Sequence, residues 1–169
     1  MERSELETYL SRVDELCAKI DSYAPFSAKN NEFRADLAGL LVVSIASAYE
    51  SCIKEIIYDY ASRHHPQFAY YTERNYEKLN SKIRVDDLNK LAKLFDSKTH
   101  DSFTKRLKKQ KERFAAWTGV DIVGCYHQLL SHRHSFAHAG ERTTTIEEAI
   151  KSHRYAKHII YVFYKSFSG

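Results

Sequence analysis

Leu129-Leu130-Ser131-His132-Arg133-His134-Ser135-Phe136-Ala137-His138-Ala139-Gly140 reads as an apolar-periodic helix that carries one arginine and three histidines onto its last turns and stops at a glycine. Arginine is a permanent cation whose fork of donors matches phosphate oxygens. Histidine, with an unperturbed pKa of about 6.5, takes or gives a proton near neutrality. The two together within two helical turns are a minimal set for breaking a phosphodiester without a metal ion. Gly140 suits the left-handed position just past a helix end.

Outward from this stretch the chain reads as helix after helix. Upstream, Trp117-Thr118-Gly119 makes a turn and Asp121 caps the helix that carries the arginine. Downstream, Thr145 caps a final helix, and Glu148 three residues later completes a capping box. The seam of that helix is Ile146, Ala149, Ile150, His153, Ala156, Ile160, Phe163, Tyr164 and Phe167.

At the other end of the sequence, Leu6, Tyr9, Leu10, Val13, Leu16, Cys17, Ile20 and Tyr23 form one stripe, which predicts a helix over about 4–23 ended by Ala24-Pro25. A long second helix follows over about 31–62, on a stripe that runs Phe33, Leu37, Leu40, Leu41, Ser44, Ile45, Ala48, Tyr49, Cys52, Ile53, Ile56, Ile57 and Tyr60. It is apolar on most sides from Leu37 to Ala48, as expected of a central bundle helix or a subunit interface. Glu50 interrupts this apolar half, either pairing with Lys54 at i+4 or serving a site nearby.

His64-His65-Pro66 breaks the pattern into a linker with aromatics from Phe68 to Tyr76. Val85-Asp86-Asp87-Leu88 opens a short helix. Another, over about 101–116, turns Phe103, Leu107 and Phe114 inward and exposes Lys105, Arg106, Lys108, Lys109, Lys111 and Arg113. That run is the densest positive charge in the chain. It is either a solvated face or a track for a phosphate backbone. These patterns predict an all-α bundle and a single domain over residues 1–169.

Composition agrees with a folded soluble protein. Of 169 residues, 43% are hydrophobic and 28% charged, which excludes a disordered chain. Five glycines and two prolines leave room for long helices, and a net charge of +4 favours an acidic partner only mildly. Cys17, Cys52 and Cys125 are odd in number and far apart, so they read as buried reduced thiols and not as a disulfide frame or thiolate zinc site. The N-terminus does not resemble a signal peptide, and the longest apolar run, Leu40 to Ala48, is shorter than the roughly 20 residues a membrane span needs. The expectation is a cytoplasmic protein with no membrane attachment and no cofactor.

Three readings of the arginine–histidine stretch compete. His134 and His138, at i and i+4, are a helical ligand pair for zinc, but no third ligand stands near them in sequence. Arg133 and the histidines can also simply cap the helix and form salt bridges across the bundle, and spacing alone favours that. The catalytic reading meets a geometric problem, because Arg133 and His138 point about 140° apart on a straight helix. A two-fold partner bringing a second set across the seam answers it.

The segment from Leu130 to Gly140 resembles the signature of the HEPN superfamily, an arginine, a polar residue and then a histidine, written R-x4-6-H. Arg133, His134 and His138 match these positions. Ala48-Tyr49-Glu50 on a long second helix is similar to the RiboL-PSP branch, where a helix-borne glutamate is typical. The resemblance implies a helical bundle that forms a homodimer with the two motifs facing each other. It implies a metal-independent endoribonuclease of toxin–antitoxin, abortive-infection or antiviral type, with RNA as substrate and an antitoxin or defence-system partner. Arg133 and His138 then become catalytic, His134 assists and Glu50 orients one of them. The alternative is a non-catalytic helical module that binds RNA or protein. One departure stands out: relatives paired with nucleotidyltransferase antitoxins usually carry a tyrosine two residues after the histidine, where this chain has Gly140, so control by AMP transfer to such a tyrosine does not carry over.

Overall fold

In the computed structural model, residues 3–25, 27, 30–77, 79 and 82–168 are described, and every apolar stripe of the sequence becomes a helix. The order is α1 (Arg3–Tyr23), α2 (Asn31–His64), α3 (Pro66–Tyr76), α4 (Val85–Phe95), α5 (Ser97–Thr118), α6 (Ile122–Ala139) and α7 (Ile146–Phe167). No strand occurs among the described residues. The all-α expectation holds.

The helix ends follow from local chemistry. Asp121 accepts a hydrogen bond from the Val123 N–H at 3.1 Å and so starts α6. Gly140, at φ 65°, ends it, with its N–H donating to the Phe136 carbonyl at 3.0 Å. Thr145 caps α7 by accepting from the Glu148 N–H at 3.2 Å. The Glu148 carboxylate does not complete the box. It accepts instead from the Thr144 hydroxyl at 3.2 Å and the Gln128 amide at 2.8 Å, tying α6 to the start of α7. Helix α5 starts about a turn before its expected position because Asp96 caps it, accepting from the Thr99 N–H at 3.0 Å.

The expected linker after His65 is a helix. Pro66 has its φ already set for a first helical position, where a missing N–H costs nothing, and the His65 ring accepts from the Gln67 N–H at 3.1 Å. Its aromatics divide by face. Phe68 and Tyr76 pack against Phe95, with ring centroids 5.3 and 5.9 Å away, whereas Tyr70 and Tyr71 are exposed.

Helix α2 is the spine, touching α1, α3, α6 and α7. Ala38, Leu41, Val42, Ile45, Tyr49, Cys52, Ile53, Ile56 and Ile57 are buried along it. Each large side chain among them contributes roughly 1.5–3 kcal/mol by leaving water. Taken as a whole helix, α2 is long and apolar enough to cross a membrane by length and composition alone, a test that the core helix of a bundle also passes, and half of its most apolar window is buried in the bundle. Phe33 and Leu40, expected in its inward stripe, are instead 59% and 54% exposed. They share a face with Ser44 and Ser47, one quarter-turn from the line that meets α6.

One polar cluster crosses the core. The Tyr49 hydroxyl lies 2.8 Å from Nδ1 of His153, whose Nε2 is 3.3 Å from Asp14. Lys157 donates to both Asp14 oxygens at 2.8 and 2.9 Å. Tyr126 stacks on Tyr49 with rings 5.6 Å apart and 6° from parallel, and its hydroxyl donates to the Ile83 carbonyl at 2.7 Å. Cys17 and Cys52 are buried, Cys125 is half-buried, and all three are unbridged. Burial holds the thiol of Cys17 up to about 11 and that of Cys52 up to about 12, so both are inert hydrophobes at neutral pH.

Candidate active site

The last turns of α6 lie over α2 where α2 has no bulk. A side chain on Gly39 would meet the Phe136 ring at 2.1 Å, so the ring rests directly on the glycine backbone. Gly39, Ala46 and Glu50 fall on one line of α2 at spacings of seven and four. Above that line sit Phe136, His134, Arg133 and Leu130. Small residues let the helices close together, and Glu50 ends the line with a charge.

Ala46, Glu50, Leu130, Arg133, His134, Ile83 and Arg84 line one surface cavity of about 60 Å³. Glu50 pairs with Lys54 at 3.4 Å, and it faces the cavity that Arg133 and His134 share. Among the described residues none accepts a hydrogen bond from the Arg133 guanidinium, so its fork is available to an incoming anion. Helix capping and a salt bridge across the bundle, the plainer reading of Arg133, are not what it does.

His138 is exposed and stands one turn above His134, with ring centroids 4.5 Å apart. It does not line the Arg133 cavity. One chain thus presents the arginine and the histidine on adjoining but separate surfaces, as the angle between their positions requires. His132 turns away and is 2.8 Å from the Thr143 hydroxyl, so it serves the turn after the motif. Among the described residues no three His, Cys, Asp or Glu side chains converge as metal ligands.

Two elements clamp this helix end. Arg142, just past the motif, donates from Nε and a terminal nitrogen to the two oxygens of Asp36 on α2, at 2.7 and 2.9 Å. Arg34, buried near the start of α2, pairs with Glu147 in the first turn of α7. A backbone hydrogen bond first, and then the Thr145 hydroxyl and that guanidinium, hold the Glu147 carboxyl below its usual range.

Arg84 is the residue that sequence reading passed over. It precedes α4, outside any periodic stripe, and lines the Arg133 cavity from a turn held by two bonds: its own N–H donates to Asp87 at 3.1 Å, and the Ile83 carbonyl before it accepts from Tyr126 at 2.7 Å. No pattern in the sequence links positions 84 and 133. Its one visible signal is a basic residue in the turn that opens α4.

The basic run on α5 separates into four groups. Arg106 and Lys109 line a larger cavity against α7 and α1. Lys111 pairs with Asp121 at 3.7 Å, Arg113 borders His158, and Lys105 and Lys108 are exposed.

The family model described as RiboL-PSP-HEPN matches residues 7–169 of this chain. No curated protein and no solved structure matches it.

Proposed function

The chain belongs to the RiboL-PSP-HEPN family, whose HEPN-type domains are often ribonucleases, and on that premise we propose that it is a metal-independent endoribonuclease acting as a homodimer. The observation that carries this reading is the cavity shared by Arg133, His134, Glu50 and Arg84, with exposed His138 stacked one turn beyond.

Two guanidiniums at one small cavity suit a phosphodiester. Arg133 binds the scissile phosphate and stabilises the charge that builds on its oxygens in the transition state, and Arg84 is a second cation for the same or the adjoining phosphate. Glu50 lines the same cavity and is the carboxylate that orients one of the catalytic groups once RNA is bound. An imidazole takes the proton of the ribose 2′-hydroxyl, the 2′-oxygen attacks phosphorus, the bond to the 5′-oxygen breaks, and a second imidazole, protonated, gives its proton to that leaving oxygen. The products are a 2′,3′-cyclic phosphate and a 5′-hydroxyl, and DNA is inert because it lacks the nucleophile.

The two imidazoles are His138 from each of two subunits, with His134 assisting. A dimer seam is supported by Phe33 and Leu40, exposed on α2 beside the motif, and by Ala137 and Ala139 exposed on α6. Apolar surface flanking an unpaired cationic site is the pattern of a subunit interface built around shared chemistry.

The test is cleavage of single-stranded RNA in EDTA, with end-group analysis of the products. Cutting that leaves cyclic phosphate and is lost in Arg133→Ala supports the reading. Binding without cutting replaces it with a non-catalytic module, and EDTA-sensitive cutting replaces it with metal chemistry.

A further inference from the structure

A second cavity lies away from the motif. It has a volume of about 510 Å³ between α1, α5 and α7, and its walls carry five cations: Arg3, Arg106, Lys109, Lys157 and Lys165. Glu7 is the one carboxylate in its lining, and it is taken by Arg3 at 2.8 Å. Lys157 is held by Asp14. Among the described residues no carboxylate pairs with Arg106, Lys109 or Lys165, so the cavity keeps a net positive field. His158 registers that field. Burial first, and then the neighbouring cations Lys157, Arg113 and Lys165, push its imidazole below its usual pKa.

The shape is a trough between two rows. Helices α5 and α7 run antiparallel, since Phe114 meets Tyr155 and His158 while Phe103 meets Phe163. Arg106 and Lys109 stand on one rim, and Lys157 and Lys165, two turns apart, on the other. Tyr161 stands in the same row of α7, one turn from each of those lysines, and it and His158 are half-buried in the cavity lining with ring centroids 6.1 Å apart. Arg113 continues the α5 row past the cavity, near His158. Cationic rims with an aromatic floor are how proteins hold a single strand without reading its sequence: phosphates lie on the rims and bases stack on the rings. A row of charge that outruns the cavity fits a strand better than a compact anion.

We propose that this trough, lined by Arg106, Lys109, Lys165 and Tyr161, is a second contact for single-stranded RNA, distant from the bond that is cut. The inference rests on the ribonuclease reading for its substrate. Helix α7 rises about 22 Å between Ile146, beside the motif, and Tyr161. A bound strand therefore needs several nucleotides beyond the scissile one to reach both places, which gives the protein a preference for long single-stranded substrates.

The experiment measures binding of a fluorescein-labelled twelve-nucleotide oligouridylate by anisotropy, on the full chain with His138→Ala so that no cutting interferes. In that background Lys109→Glu with Lys165→Glu weakens binding at least tenfold and lowers the salt-dependence slope by about 1.4, the value for two single-strand phosphate contacts. Tyr161→Ala, which alters no charge, weakens binding about tenfold and leaves the slope unchanged. An unchanged affinity in the double charge reversal overturns the proposal. So does an equal loss from Lys105→Glu with Lys108→Glu, which lie outside the trough, because diffuse charge then suffices. Competition by ATP at concentrations matching the oligonucleotide also overturns it, in favour of a compact-anion site. Because binding is read on a non-cutting protein, a wild-type chain that never cleaves RNA sinks the ribonuclease reading without deciding this one.

Discussion

His153 and His138 ride on adjacent helices and meet opposite conditions. His153 is 1% exposed, with Tyr49 and Asp14 at its two ring nitrogens and Tyr126 stacked beyond Tyr49. His138 is exposed, with the His134 ring 4.5 Å away, on a helix end whose arginine has no hydrogen-bond acceptor among the described residues. In the first place the polar groups face partners from other helices of the same chain. In the second the polar groups are left for a ligand. The difference teaches how to sort chemistry-bearing residues in a helical bundle: by whether their partners come from the same chain.

The sharpest way to break this contrast is at the motif. Arg133→Ala or His138→Ala is expected to lower RNA cleavage by about 10²–10³-fold, the usual cost of removing a group aimed at developing charge. Neither substitution should change unfolding free energy by more than about 0.5 kcal/mol, since neither removes a hydrogen bond or ion pair among the described residues. Cleavage kinetics and thermal melts on the same preparations check both halves. A variant that melts early puts the motif on the structural side of the divide.

The next largest effect belongs to His153. Burial drives its pKa down from the ordinary value to about 4, outweighing the pull of Asp14 in the other direction. The unfolded chain therefore binds a proton below about 6.5 that the folded protein refuses until pH falls to about 4. Stability that is complete above pH 6.5 is lost between these values, on the order of 3 kcal/mol at the acid end. Urea titrations at pH 7.5 and 4.5 read it, with His153→Gln as the variant whose stability should lose that part of its pH dependence. An identical loss in that variant transfers the effect to other groups.

A smaller effect joins the two regions. Tyr126 belongs to the core cluster, yet its hydroxyl secures the Ile83 carbonyl and with it Arg84 at the motif cavity. Tyr126→Phe leaves a buried carbonyl without its donor and is expected to cost about 1–2 kcal/mol of stability. Arg84→Ala is expected to reduce cleavage about tenfold. If Tyr126 acts on the site through Arg84, its substitution lowers cleavage in the parent chain and adds nothing in the Arg84→Ala background. Additive losses show that the core tyrosine and the surface arginine are independent.

Much of the fold was legible because helix stripes and caps are local. Asp121, Gly140 and Thr145 declare their ends within a few residues of sequence, and the inward faces of α1, α6 and α7 follow from spacing. What spacing could not supply was which side of α2 would stay open. Phe33 and Leu40 belong to the same apolar pattern as Leu41 and Ile45, and only the neighbours of α2 separate them. Helix α3 was hidden because His65-Pro66 reads as a break, although a proline in a first turn starts a helix as readily as it stops one. At the site, Arg133, His134 and Glu50 were found in sequence, while Arg84 and Gly39 depend on contacts across 40 residues or more.

The smallest expected effect tests the clamp beside the motif. Asp36 and Arg142 are each nearly half exposed, with side-chain exposures of 46% and 43%, and their pair is bidentate at 2.7 and 2.9 Å. Exposed ion pairs contribute little, so Asp36→Asn should cost no more than about 1 kcal/mol, a cost that shrinks further as salt rises. Its position gives it a second readout. Arg142 lies in the connection that leaves Gly140, and pinning it to α2 fixes how the final turn of α6, with His138 on it, sits over Gly39 and Glu50. Loss of the pin should therefore lower cleavage by a few-fold with almost no change in melting, and 0.5 M salt should produce a similar fall in the parent chain beyond its general effect on RNA binding. A stability loss without a catalytic one would place Asp36 and Arg142 with the core cluster around His153, and the boundary between the two regions would then run closer to the motif than their exposure indicates.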